Sequence, residues 1–156
     1  MRNLRWKIKR TTQLNRRDQT ANQRVKHHLR TKQEQNSNLP GQANEKNEIW
    51  VAVTRTKNDL AGVFEFDGEV GYFYLYRNQA AEGKRIVSSI HIVSGTPGFE
   101  QADVEIRWTA EGAVVGLFIY SVLWAAFDAI HLTKFGGNYR SHGKPEIPDK
   151  VASCFQ

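Results

Sequence analysis

Cysteine is almost missing. Of 156 residues only Cys154 carries a thiol, so no disulfide can close within the chain and a small bridge-stapled scaffold is excluded. A reducing compartment suits such a sequence, and a cytoplasmic location is expected. Long hydrophobic runs are missing too. The longest uncharged stretch, Gly112 to Phe127, has sixteen residues, short of the roughly 20 that a membrane-spanning helix needs. Asp128 stops it, and a membrane location is not expected. The basic start is followed by no apolar run before Ile49, so no leader sequence is read there. No HExxH, no GxSxG and no phosphate-cradling glycine loop occurs, since Gly136-Gly137 precedes no helical pattern. These gaps remove the commonest signatures of hydrolases, metalloenzymes and nucleotide binders, and no cofactor is expected.

What is present divides into two unlike parts. Residues 1–46 hold twelve Lys or Arg against three acidic residues, a net of +9, while residues 47–156 hold ten against thirteen, a net of −3. Ten of the first 46 residues are apolar, against 52 of the remaining 110. A segment so charged and so poor in apolar side chains buries too little surface to offset its ordering entropy. Residues 1–46 are therefore read as a basic tail and linker, largely unstructured or partly helical. Its one helical pattern runs from about Asp18, a suitable N-cap, to Gln35, with Ala21, Val25 and Leu29 at i, i+4 and i+8. Pro40-Gly41 marks the linker.

Residues 47–156 read as strands almost throughout. Ile49 to Thr54, Val63 to Phe66, Glu69 to Tyr76, Ile86 to Ser94 and Asp103 to Trp108 come first. Asp67-Gly68 is the strongest hairpin signal among them. Val104, Ile106 and Trp108 alternate with Asp103, Glu105 and Arg107, a strand with one wet face. The apolar stretch is β-branched and aromatic, with Val114, Val115, Phe118, Ile119, Val122, Trp124 and Phe127, and is predicted to fold back as a buried hairpin about Tyr120-Ser121. Its expected register pairs Phe118 with Leu123, Leu117 with Trp124, Gly116 with Ala125 and Val114 with Phe127, both faces covered. The expectation is an all-β fold, an antiparallel meander of about seven strands forming a barrel or a two-layer roll. Beyond Ala129 an irregular C-terminal strap is expected.

Gly71-Tyr72-Phe73-Tyr74, Ile90-His91-Ile92, Val104 to Trp108, Val115 to Ile119 and Ala126-Phe127-Asp128, in that order, resemble an uncharacterised family of small bacterial β-rich domains of unknown function. The resemblance spans roughly Val63 to Tyr139, and Tyr120-Ser121 departs from the glycine-containing turn expected there. It implies a bacterial cytoplasmic β domain. It transfers no site residue, because the family carries no established activity.

Three groups of residues are candidates for function. In Gly71 to Arg77, the side chains of Tyr72, Tyr74 and Tyr76 share one strand face and Arg77 follows, a pattern suited to a protein interface. The helices of an RNA-recognition fold are missing beside it. Arg5, Lys7, Lys9, Arg10, Arg16, Arg17, Arg24, Lys26 and Arg30 suit nucleic-acid backbone binding by counterion release. His91, Asp128 and His131 form the weakest set, a base with its orienter or the start of a metal site if they converge. The leading expectation is a non-enzymatic interaction module that binds a protein partner or itself. The alternative is nucleic-acid association through the tail, ahead of a small hydrolase or metal-binding domain.

Overall fold

The structure, a computed structural model, describes residues 47–156. The helix read over Asp18 to Gln35 and the tail's basic residues lie outside the described residues. The fold is all-β. β1 (Ile49–Thr54), β2 (Leu60–Phe66), β3 (Val70–Arg77) and β4 (Ile86–Ser94) form one antiparallel sheet in chain order. A second follows the same order with β5 (Val104–Trp108), β6 (Val114–Ile119), β7 (Val122–Asp128) and β8 (Thr133–Gly136). A short helix α1 (Asp149–Ala152) and a final 3-10 turn (Ser153–Phe155) complete it.

The two meanders stack face to face as two layers, strand over corresponding strand. β1 lies against β5, β2 against β6 and β4 against β8, while Phe73 on β3 meets Phe127 on β7 with ring centroids 5.1 Å apart. The inward side chains alternate along the strands, as a half-covered sheet requires, except where β4 and β7 place two consecutive residues in the core. Phe64, Phe73, Leu75, Ile92, Val115, Leu117, Ile119 and Phe127 are fully buried between the layers. Close approach at the centre explains Gly62, where a Cβ would sit 2.7 Å from Val115 Cγ2.

Both lateral edges are stitched. At one, the indole of Trp108 donates to Val53 O (3.0 Å) and Arg55 Nη1 donates to Gly112 O (2.9 Å). At the other, the backbone of Asn138 and Tyr139 donates to His91 O (3.0 Å) and Ile92 O (2.6 Å), covering the free side of β4. The link from β4 to β5 crosses the end of the sandwich and inserts Phe99, which packs on Phe64 and Tyr139.

The apolar stretch is a hairpin turned at Tyr120-Ser121, both residues at positive φ (52° and 62°) as a two-residue turn of the right hand demands. Its register differs from the expected one beyond two pairs. Ile119 pairs with Val122 and Phe118 with Leu123, but Leu117 then pairs with Ala125, Gly116 with Ala126 and Val115 with Phe127. A bulge at Trp124 is the reason: it is accommodated because consecutive Trp124 and Ala125 both join the core, Trp124 packing on Tyr139 at 4.7 Å. Strict alternation read from the turn cannot see an extra residue.

Both faces of β6 and β7 are covered, as their composition implied, and the C-terminal strap supplies the second cover. Val151 is buried, and Phe155 lies edge-on to Phe118 at 5.3 Å above Gly116. The strap also contains an unexpected eighth strand, β8, pairing with β7 from Ala125 to Asp128. Among the described residues no helix is long and apolar enough to cross a membrane.

Candidate functional site

The outer face of the first sheet is built by register. Three cross-strand rows stand on it: Trp50, Glu65, Tyr72 and His91; Ala52, Val63, Tyr74 and Ser89; Thr54, Ala61, Tyr76 and Ile86. Two irregularities between β3 and β4, at Gly71/Tyr72 and Leu75/Tyr76, keep His91 and Ile86 on this face. Tyr72 and Tyr74 stack at 5.9 Å, and His91 sits edge-on to Tyr72 at 5.4 Å. Ala61 (4%), Val63 (4%), Tyr74 (8%) and Tyr76 (5%) are buried. Among the described residues the apolar cluster on this face is drawn from β1 to β4, and the C-terminal strap covers the outer face of the other sheet.

Tyr72, Tyr74 and Tyr76 thus share a face, but Arg77 does not join them. It pairs with Leu60 at the end of β3, exposed and on the opposite side of the strand from Tyr76. Among the described residues the arginine beside the tyrosines is Arg85, whose Nη1 lies 3.5 Å from Tyr76 Oη while its Nε donates to Ala80 O (2.9 Å). Sequence reasoning missed Arg85 because the β3–β4 loop folds it back across nine positions, and no local period reports that. The charges around the face are mixed: Glu48 precedes β1, Glu65 stands in the first row and Asp67 and Glu69 flank the β2–β3 turn, while the β3–β4 loop carries Glu82 with Lys84 and Arg85 and Lys134 Nζ reaches Ser89 O (3.3 Å).

His91, Asp128 and His131 do not converge. His91 stays on the first sheet, its Nδ1 donating to Asn138 Oδ1 (3.0 Å) and its Nε2 meeting Ser94 Oγ (2.8 Å). Asp128 ends β7 and caps the following turn, accepting from the N–H of Ile130 (2.8 Å) and of His131 (2.9 Å) and from His131 Nδ1 (2.8 Å). Burial pushes its carboxyl up, but those three donors outweigh it and hold the group below the usual range. His131 is largely exposed, and the pair has the geometry of a base and its orienter at the protein surface. Among the described residues no cluster of three His, Cys, Asp or Glu stands close enough to hold a metal ion.

A shallow polar cavity of about 280 Å³ lies at the β7–β8 end, with Trp124 as wall and Asn138, Arg140, Lys144 and Glu146 around it. None of His91, Asp128 and His131 lines it. Arg140, Lys144 and Asn138 are exposed, so their charges and amide are already solvated.

The sequence pattern of one family, described as uncharacterized protein conserved in bacteria (DUF2251), matches residues 42–146. The chain belongs to this family. The match takes in all eight strands of the DUF2251 domain and stops before α1. No curated protein and no solved structure matches the chain. The tyrosine face and both stitched edges fall inside the family match, whereas the cover over Gly116 and Phe118 falls outside it.

Proposed function

We propose that the DUF2251 domain of this chain is a non-enzymatic protein-interaction module of bacterial origin, and that its docking surface is the outer face of the first sheet. The observation that carries this reading is the three-row aromatic face, with Glu48, Glu65, Asp67 and Glu69 toward its first row. Tyrosines supply large rigid contact area at small entropy cost, and anchors of this kind dominate interface energies. The carboxylates toward the first row favour a partner segment with an apolar stripe and a basic flank at that end. A cytoplasmic setting suits the exposed thiol of Cys154.

The test is in-cell cross-linking of the full chain, followed by affinity measurement with the captured protein. Tyr72→Ala, at a half-buried position, is expected to weaken capture by about tenfold or more while circular dichroism is unchanged. Leu132→Ser, in the β7–β8 turn, is the control. A monomer that captures nothing, or capture indifferent to Tyr72→Ala, overturns the reading.

The net of +9 on residues 1–46 favours a second reading, nucleic-acid association through Arg5, Lys7, Lys9, Arg10, Arg16, Arg17, Arg24, Lys26 and Arg30. Backbone neutralisation at six or more phosphates loses about 10³-fold or more in affinity between about 50 and 200 mM salt. Fluorescence anisotropy with a short duplex checks it: steep salt dependence, abolished by Arg→Gln changes at Arg16, Arg17 and Arg24, is expected. Salt-insensitive binding, or none, counts against it.

A further inference from the structure

We propose that the cavity at the β7–β8 end binds a small zwitterion carrying both a carboxylate and an amino group, a free amino acid or a compound of that class. This goes beyond the docking surface, none of whose tyrosines lines the cavity. The backbone builds the cavity before any ligand arrives. After β8 the chain leaves at Gly136 and returns at Ile147, whose Cδ1 would stand 2.5 Å from a Cβ on Gly136. Residues 137–146 thus form a compact loop with its ends in contact, and loops closed in this way frequently carry function. Gly137 donates to Trp124 O (2.8 Å), Asn138 to His91 O (3.0 Å), Tyr139 to Ile92 O (2.6 Å) and Gly143 to Arg140 O (2.9 Å), which ties the loop to both sheets.

The bulge in β7 supplies the wall. It turns Trp124 toward the loop, with its ring 4.7 Å from that of Tyr139 and its Cη2 3.6 Å from the place of a Cβ on Gly143. Bulges beside binding sites re-aim single side chains in this way. The indole then offers apolar surface to a ligand side chain.

The charges on the lining do not cancel one another. Arg140, Lys144 and Glu146 line the same cavity, with Asn138 beside them. Among the described residues none of the three has an ion-pair partner. An anion alone would face Glu146, and a cation alone would face Arg140 and Lys144. A ligand of both signs satisfies the set, its carboxylate on Arg140 and Lys144 and its ammonium on Glu146. The cavity volume of about 280 Å³ equals about nine waters at roughly 30 Å³ each, room for a ligand of about ten non-hydrogen atoms. Because the three charged side chains are exposed, each ion pair contributes little, and a Kd near about 1 mM is expected.

Proton–nitrogen correlation NMR of the full chain tests this, with glycine, L-glutamine and L-leucine as probes and, for each, the counterpart lacking the amino group. At least one amino acid should shift the amides of Gly137, Gly143 and Lys144 and the Trp124 indole N–H, saturating with a Kd near about 1 mM. Its deaminated counterpart should bind about threefold or more weakly. Arg140→Gln with Lys144→Gln should weaken binding by about fivefold or more, and Glu146→Gln should erase the preference for the amino compound. The substituted side chains are exposed, so the fold should persist, and unchanged shifts in β1 to β6 report that it does. Inorganic phosphate binding as tightly as the amino acid overturns the inference, since the cavity is then a plain anion patch. No saturable shift at these residues below about 20 mM with any probe, or a preference that survives Glu146→Gln, overturns it as well.

Discussion

Arg55 holds three parts of the chain at once. Its Nε donates to Asp59 Oδ1 (2.9 Å), its Nη2 pairs with Asp59 Oδ2, its Nη1 reaches Gly112 O across the sandwich, and it lies 5.5 Å from the Trp108 ring centroid. The Arg55 hydrogen bond holds the Asp59 carboxyl at about 2, against an ordinary 3.8, despite an opposing contribution from burial. A depressed carboxylate stabilises the fold fully above its ordinary value and loses that contribution as pH falls toward 2. Asp59→Asn is therefore expected to flatten the acid limb of the stability profile in that window. Because Asp59 is 45% exposed, the cost near neutral pH stays at or below about 1 kcal/mol. Urea unfolding at a series of pH values measures both. Gly136 is stricter. Its φ is +72° and a Cβ there would lie 2.3 Å from the backbone oxygen of Trp124, so Gly136→Ala faces both a left-handed backbone and an immovable neighbour. A loss of about 2 kcal/mol or more is expected, read as a fall in Tm.

The β6–β7 hairpin shows how an element departs from its own best local chemistry. Tyr120 and Ser121 occupy left-handed positions that glycine or asparagine fill more cheaply. Tyr120 has a return, since its hydroxyl donates to Gly98 O at 2.9 Å and ties the turn to the β4–β5 link. Ser121→Gly should therefore raise stability by about 0.5–1 kcal/mol, which thermal unfolding would show as a higher Tm. The C-terminal strap makes the opposite prediction. Phe155→Ala uncovers Phe118 and the space over Gly116, and a half-buried ring of this kind costs about 1–2 kcal/mol. Exchange should quicken in β6 and β7 and not in β2.

At the scale of the whole molecule the two meanders share one core, since Gly62, Phe73, Val115 and Phe127 each touch the opposite layer. Neither sheet buries its inner face alone, so residues 47–156 are expected to unfold in one cooperative step. Far-UV circular dichroism and tryptophan fluorescence of a Trp6→Phe chain, the latter then reporting Trp50 on one sheet with Trp108 and Trp124 on the other, should give coincident transitions. Separate midpoints would show that the sheets are independent.

The sequence by itself determined the all-β class, the place of the apolar hairpin and the face shared by Tyr72, Tyr74 and Tyr76. All of these follow from periods of two and from turn residues that act over a few positions. Tertiary structure alone decided the pairing of two stacked meanders, the bulge at Trp124, the burial of Phe99, the strand β8, the placing of Arg85 rather than Arg77 beside Tyr76, and the separation of His91 from Asp128 and His131. Each of these depends on which side chains meet across tens of residues, and such meetings are set by packing between layers, which leaves no periodic trace along the chain.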